Sequence, residues 1–146
     1  MSGTSMRFPA RAAEVCAALD RLDQHLAAAG VETGDRHDAR LVAEETMINV
    51  VRHGAGGPDT PTIDLRCEVE DRAVRLEVRD NGAAFDPLAH PAPDLDARLE
   101  ERPIGGLGVH MVRTIADEAS YHRIEGRNVL RLVLRRSARG RATQCR

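Results

Sequence analysis

Glu45-Thr46-Met47-Ile48-Asn49 lies inside a run with helical spacing that extends from about Asp35 to His53 and stops at Gly54. Glu45 and Asn49 are four residues apart, so on a helix they project from one face, one turn above the other. His53 continues the row, and Val42, Thr46 and Val50 flank it. A carboxylate set into such a surface is unfavourable unless it has a partner or a task. On the helix alone, a solvent stripe that includes Arg40, Glu44 and Arg52 explains the pattern as well as a functional row does. Glu44 points about 100° away around the helix axis, which leaves Glu45 as the candidate carboxylate. Two further segments decide between the readings: Asp80-Asn81-Gly82 and Gly105-Gly106-Leu107-Gly108. In this order, within 146 residues, the three describe a nucleotide site.

Outward from these segments the chain reads as a short α/β domain. Met1 to Ser5 is expected to be a flexible start, followed by a short edge strand at Met6-Arg7-Phe8 that Pro9 stops. From Arg11 to Ala29, Val15, Leu19, Leu22 and Leu26 mark one face of an amphipathic helix ended by Gly30. The second helix carries widely spread apolar residues and is expected to be largely covered. Ile63, Leu65, Cys67 and Val69 alternate with polar residues, as do Val74, Leu76 and Val78. Joined by Glu70-Asp71-Arg72, these runs predict a β-hairpin. Residues 87–104 hold Pro87, Pro91, Pro93 and Pro103 and read as a long loop, of a length that is usually functional or disordered. A short helix is expected over Gly108 to Asp117. A last hairpin pairs Tyr121 to Ile124 with Val129 to Leu134, turned at Glu125-Gly126-Arg127. Helices on one face of a mixed, mainly antiparallel sheet give a two-layer sandwich of the α/β (α+β) class.

Asp80 falls at the end of the Val74-Leu76-Val78 strand, where its carboxylate can accept a hydrogen bond from the amino group of adenine. Gly82 lets a ring approach the backbone. Alone, the segment reads as a plain turn. Gly105 to His110 opens the short helix, and free N–H groups at a helix start attract phosphate. Phosphate contacts are expected from Gly106 and Gly108 first, with Gly105, Leu107, Val109 and His110 completing the segment. Val109 and His110 would contribute through main-chain N–H. Phe85 is expected to pack at the base of the loop.

Taken together, the segments resemble the GHKL ATPases, the superfamily of gyrase, Hsp90, histidine kinases and MutL. Within it the chain looks most like the small stand-alone bacterial serine kinases that act as anti-sigma factors or partner-switch kinases. The resemblance covers nearly the whole chain and implies a Bergerat-type ATP-binding fold, one domain over 1–146 with flexible tails at 1–5 and 137–146 and an ATP lid at 87–104. It implies ATP and Mg²⁺ as cofactors, Asn49 as the metal ligand and Glu45 as general base. The substrate it implies is a small anti-sigma-factor antagonist protein, the bound regulator a sigma factor or another protein, and the assembly a homodimer. Gly126-Arg127-Asn128 resembles a family turn whose residues approach the adenine. The sequence departs from the family pattern at Ala84, where a second glycine is common. Two alternatives accompany this reading: an ATP-gated sequestering module without kinase activity, and a detached histidine-kinase catalytic domain.

Composition narrows the partners. A net charge of −2 gives no basic footprint, so nucleic acid is not expected as a partner. No apolar run is long enough to span a membrane and no signal peptide is visible, which points to a cytoplasmic location. Cys16, Cys67 and Cys145 have no metal-binding spacing, and Cys16 and Cys67 are expected to be reduced core residues. With 2% aromatic residues, the core must come from Leu, Val, Ile, Ala and Met.

Overall fold

The computed structural model describes residues 2–53, 59–89 and 106–137, with 106–110 described by backbone only. Among the described residues, five strands and three helices follow in the order β1 (Ser2–Pro9), α1 (Ala12–Ala28), α2 (Thr33–His53), β2 (Thr62–Val69), β3 (Ala73–Asp80), α3 (Gly106–Ile115), β4 (Glu118–Ile124) and β5 (Arg127–Arg135), with a 3-10 turn at Pro87–Ala89. The sheet order is β1-β2-β3-β5-β4. Each neighbouring pair is antiparallel, so the sheet is antiparallel throughout.

Strand alternation sorts the sheet into two faces. Phe8 pairs with Ile63 and Met6 with Leu65, while Val78 pairs with Leu130, Leu76 with Leu132 and Val74 with Leu134. All of these are buried, and they meet the α1 stripe of Val15, Leu19, Leu22 and Leu26. Fully burying such side chains contributes roughly 1.5–3 kcal/mol each. α2 packs on α1, α3 and β3. It buries one face through Ala39, Val42, Ala43, Thr46, Met47 and Asn49 and leaves Glu44, Arg52 and His53 exposed, so it is less covered than its composition suggests. The other sheet face is polar. There Arg79 and Arg131 both donate to Glu77, at 2.6 and 2.9 Å. Burial raises the Glu77 carboxyl, but these hydrogen bonds outweigh it and hold the group below its ordinary range.

α1 ends as its sequence predicts. Gly30 adopts φ 78°, the Val31 N–H donates to Leu26 at 3.0 Å and the Gly30 N–H to Ala27 at 3.1 Å. This is a Schellman closure, with buried Val31 beside buried Leu26. At the far end of β5, Arg136 donates to the carbonyls of Glu70 and Gly30, tying the β2–β3 turn to the α1–α2 corner.

Three expectations are corrected. Residues 2–5, expected to be a flexible start, form half of an eight-residue strand, because β2 has an edge whose backbone groups pair with them from Ser2↔Val69 to Pro9↔Thr62. At the other end, the Ser137 N–H donates to Asp35 at 2.9 Å, so the expected tail of 137–146 begins with an anchored residue. Its remainder, 138–146, and the body of the expected lid, 90–104, lie outside the described residues. Cys16 is exposed, not part of the core, because it sits one position off the Val15–Leu19 stripe. Cys67 is buried as expected, and burial, with the Glu68 charge beside it, pushes its thiol up to about 12. Alkylation of the folded protein at pH 8 is therefore expected to label Cys16 and spare Cys67 until denaturant is added, since the thiolate is the reactive species. Peptide mapping checks this, and labelling of Cys67 in the folded state would contradict the burial.

Candidate functional site

A cleft of about 430 Å³, its open mouth included, separates α2 from the ends of β3 and β5. α2 contributes Thr46, Asn49, Val50 and His53, and the sheet contributes Val78, Asp80, Asn128 and Leu130. Gly82, Ala83, Phe85 and Tyr121 complete the wall. The lining is apolar apart from a few fixed polar groups, as suits a flat heterocycle held by its edge.

Two of those groups are buried and aimed at the space. Asn49 is 5% exposed, and no described residue makes a hydrogen bond to its amide. Asp80 is 7% exposed. Its Oδ1 accepts from the Gly82 N–H at 2.9 Å and from Asn128 Nδ2 at 3.0 Å. Its Oδ2 accepts nothing from the described residues and remains available to a ligand. A Cβ added at Gly82 would lie 3.0 Å from Asp80 Oδ1 and 3.4 Å from Pro61, so a larger residue would crowd the carboxylate. Asn81 fastens the same turn by accepting from the Thr62 N–H at 2.7 Å.

His53 and Phe85 form the outer wall, their rings stacked at 3.9 Å and 19°. Phe85 therefore packs as expected, and His53, which continued the Glu45–Asn49 row, is its partner. Glu45 is half-buried, one turn before Asn49, and does not line the cleft itself; Glu44 is exposed. α3 begins at Gly106, two residues earlier than its expected start at Gly108. Gly106, Leu107 and Gly108 thus fall in its first turn, with Val109 and His110 following. The first four N–H groups of a helix lack intrahelical partners, so this start can receive an anion. Gly105 lies outside the described residues.

The residue that the sequence underweighted is Asn128. Besides Asp80, it donates to the Ala83 carbonyl at 2.9 Å, and its Oδ1 accepts from Tyr121 Oη, Arg123 Nη1 and the Phe85 N–H. The signal was present as a polar residue on an inward strand position followed by Leu130, Leu132 and Leu134.

The chain matches the histidine kinase-like ATPase domain over residues 8–134. It belongs to that family. ATP use accords with the cleft, where Asp80 can receive an exocyclic amine, and with the glycine-rich start of α3, a helix that packs on α2. A serine/threonine-protein kinase of Bordetella bronchiseptica, BtrW, is 35% identical over 104 residues, covering 67% of this chain and 73% of that one. The serine-protein kinase RsbW of Staphylococcus epidermidis is 27% identical over 126 residues, covering 83% and 79%. Among solved structures, the RsbU and RsbW domains of Rv1364c from Mycobacterium tuberculosis superpose with a TM-score of 0.66 at 20% identity. The match covers 94% of this chain and 34% of that longer one, and it supports the fold. No helix among the described residues is long and apolar enough to cross a membrane.

Asp80→Asn is expected to weaken ATP binding by about 1.5–3 kcal/mol, the worth of a hydrogen bond to a charged group. The donors on Oδ1 hold the new amide oxygen in place, so its NH₂ group would confront the adenine amine. Calorimetry checks this, and unchanged affinity would remove Asp80 from the site.

Proposed function

We propose that the chain is an ATP- and Mg²⁺-dependent protein serine/threonine kinase of a bacterial partner-switching system. Membership in the ATPase family and the kinase relatives support the activity. The observation that carries the reading is Asn49, a buried amide without a hydrogen-bond partner among the described residues, one helical turn from a half-buried carboxylate.

The metal requirement suits this donor set. No cluster of three or more His, Cys, Asp or Glu among the described residues could hold a metal ion by itself. One amide oxygen together with phosphate oxygens and water is the surrounding of a hard cation that keeps much of its hydration. Asn49 would hold Mg²⁺ through its amide oxygen, and the ion would supply charge neutralisation across the phosphates. Asp80 selects the base, while the main-chain N–H groups from Gly106 to His110, together with Gly105, receive the phosphates. Glu45 takes the proton from a serine or threonine hydroxyl aligned with the γ-phosphate. Phosphoryl transfer is chiefly positioning and charge stabilisation, and these parts meet that need.

The substrate in this reading is a small anti-sigma-factor antagonist, and the sequestered partner is a sigma factor or another regulator. The kinase works as a homodimer in the cytoplasm, where ATP and sigma factors are found.

Glu45→Gln preserves shape and removes the base. ATP and partner binding are expected to survive, while transfer of labelled phosphate to the co-purifying antagonist falls by about 10²–10⁴-fold. Asn49→Ala is expected to abolish the Mg²⁺ dependence of ATP affinity together with transfer. Equal rates for wild type and Glu45→Gln would exclude Glu45 as base. A wild-type protein that binds ATP and transfers no phosphate to any partner would favour the sequestering module.

A further inference from the structure

We propose that Asn128, locked by Tyr121 and Arg123 of β4, is a positioning residue that makes the cleft select adenine over guanine. The inference rests on the nucleotide reading above and concerns how the base is discriminated.

The orientation of the Asn128 amide follows from its neighbours. The Arg123 guanidinium and the Phe85 N–H can only donate, so the atom they reach, at 3.1 and 3.2 Å, is the oxygen. The Ala83 carbonyl and the Asp80 carboxylate can accept, and both face the other atom, at 2.9 and 3.0 Å. Every partner agrees on one orientation, and the amide cannot flip without opposing like groups at several contacts. Tyr121 adds a further donor to the oxygen, and Arg123 Nη1 also donates to the Gly82 carbonyl at 2.9 Å. The Asp80 turn is thereby held from the edge strand.

This lock has a consequence for the ligand. With Gly82 N–H and Asn128 Nδ2 both on Oδ1, the carboxylate cannot rotate freely, and Oδ2 is the atom left to meet the base. Adenine brings an amino group to that atom. Guanine brings a carbonyl oxygen to the corresponding position, which would oppose the carboxylate with no hydrogen between them. A buried acceptor that cannot turn away makes this mismatch severe, as in other sites built around one required hydrogen bond. If Asp80 could rotate, water or an altered base tilt could relieve it. Discrimination therefore depends on Asn128 and Tyr121 as well as on Asp80.

The test is calorimetric titration of the full chain with ATP and with GTP, each with Mg²⁺, alongside thermal melts. Wild type is expected to favour ATP by at least about a hundredfold. Tyr121→Phe keeps the ring and removes one donor; it is expected to weaken ATP roughly two- to tenfold, GTP less, at a nearly unchanged melting temperature. Asn128→Asp keeps the shape but opposes Asp80 with a second acceptor, and is expected to reduce the ATP/GTP ratio at least tenfold. Loss of ATP and GTP affinity in equal proportion in both variants, in step with a lower melting temperature, would show a merely structural role and overturn the proposal. An unchanged ratio in a folded Asn128→Asp protein would also overturn it and leave the nucleotide reading intact. A wild type that binds neither nucleotide would overturn both. Should Asn128→Asp fail to fold, the ratio in Tyr121→Phe decides.

Discussion

The site depends on the register of β3 against β5. In that register Asp80 stands across from Asn128, at the point where both strands leave the core. Side chains on a strand alternate with a period of two, so a slip of one residue would carry one of the pair to the opposite face. The register is held by the apolar pairs that follow, Val78 with Leu130, Leu76 with Leu132 and Val74 with Leu134, which are buried only in this alignment. Hydrophobic packing along the β3–β5 pair thus sets the position of a polar contact at its end. The polar contact occupies Oδ1 of Asp80 and leaves Oδ2 without a partner among the described residues.

Much of this was legible in local patterns. The α1 stripe, the Gly30 stop and both hairpins follow from periodicities of 3.6 and 2 and from turn chemistry, which depend on near neighbours. Glu125 and Gly126 have φ of 50° and 76°, so the turn between β4 and β5 lies where the sequence expects it. Asn49, Asp80 and Gly82, from two of the three motif segments, line one cleft although 31 residues separate the first two.

What was hidden depends on distant partners. Ser2-Gly3-Thr4-Ser5 has little strand propensity of its own and becomes a strand because β2 offers it a partner more than sixty residues away, as Ser2↔Val69 shows. Asn128 was underweighted for the same reason. Its contacts with Asp80 and Phe85 span 48 and 43 residues, and a single polar residue before a run of leucines does not name them. Cys16 shows the opposite error, an apolar residue type read as core when the helix turns it away from the stripe. The beginning of α3 at Gly106 follows from a fold in which helix packing overrides the low helix propensity of glycine.

ATP is proposed to occupy the cleft between α2 and the β3–β5 end, on the helical side of the sheet. The most direct measurement is the set of NMR chemical-shift changes caused by a non-hydrolysable ATP analogue with Mg²⁺ in the isotope-labelled protein. The largest changes are expected at Asn49, Gly82, Phe85 and Asn128 and along the first turn of α3, with Arg66, Glu68 and Arg75 on the polar sheet face unmoved. Saturable changes concentrated on that polar face, with the cleft residues unperturbed, would contradict it.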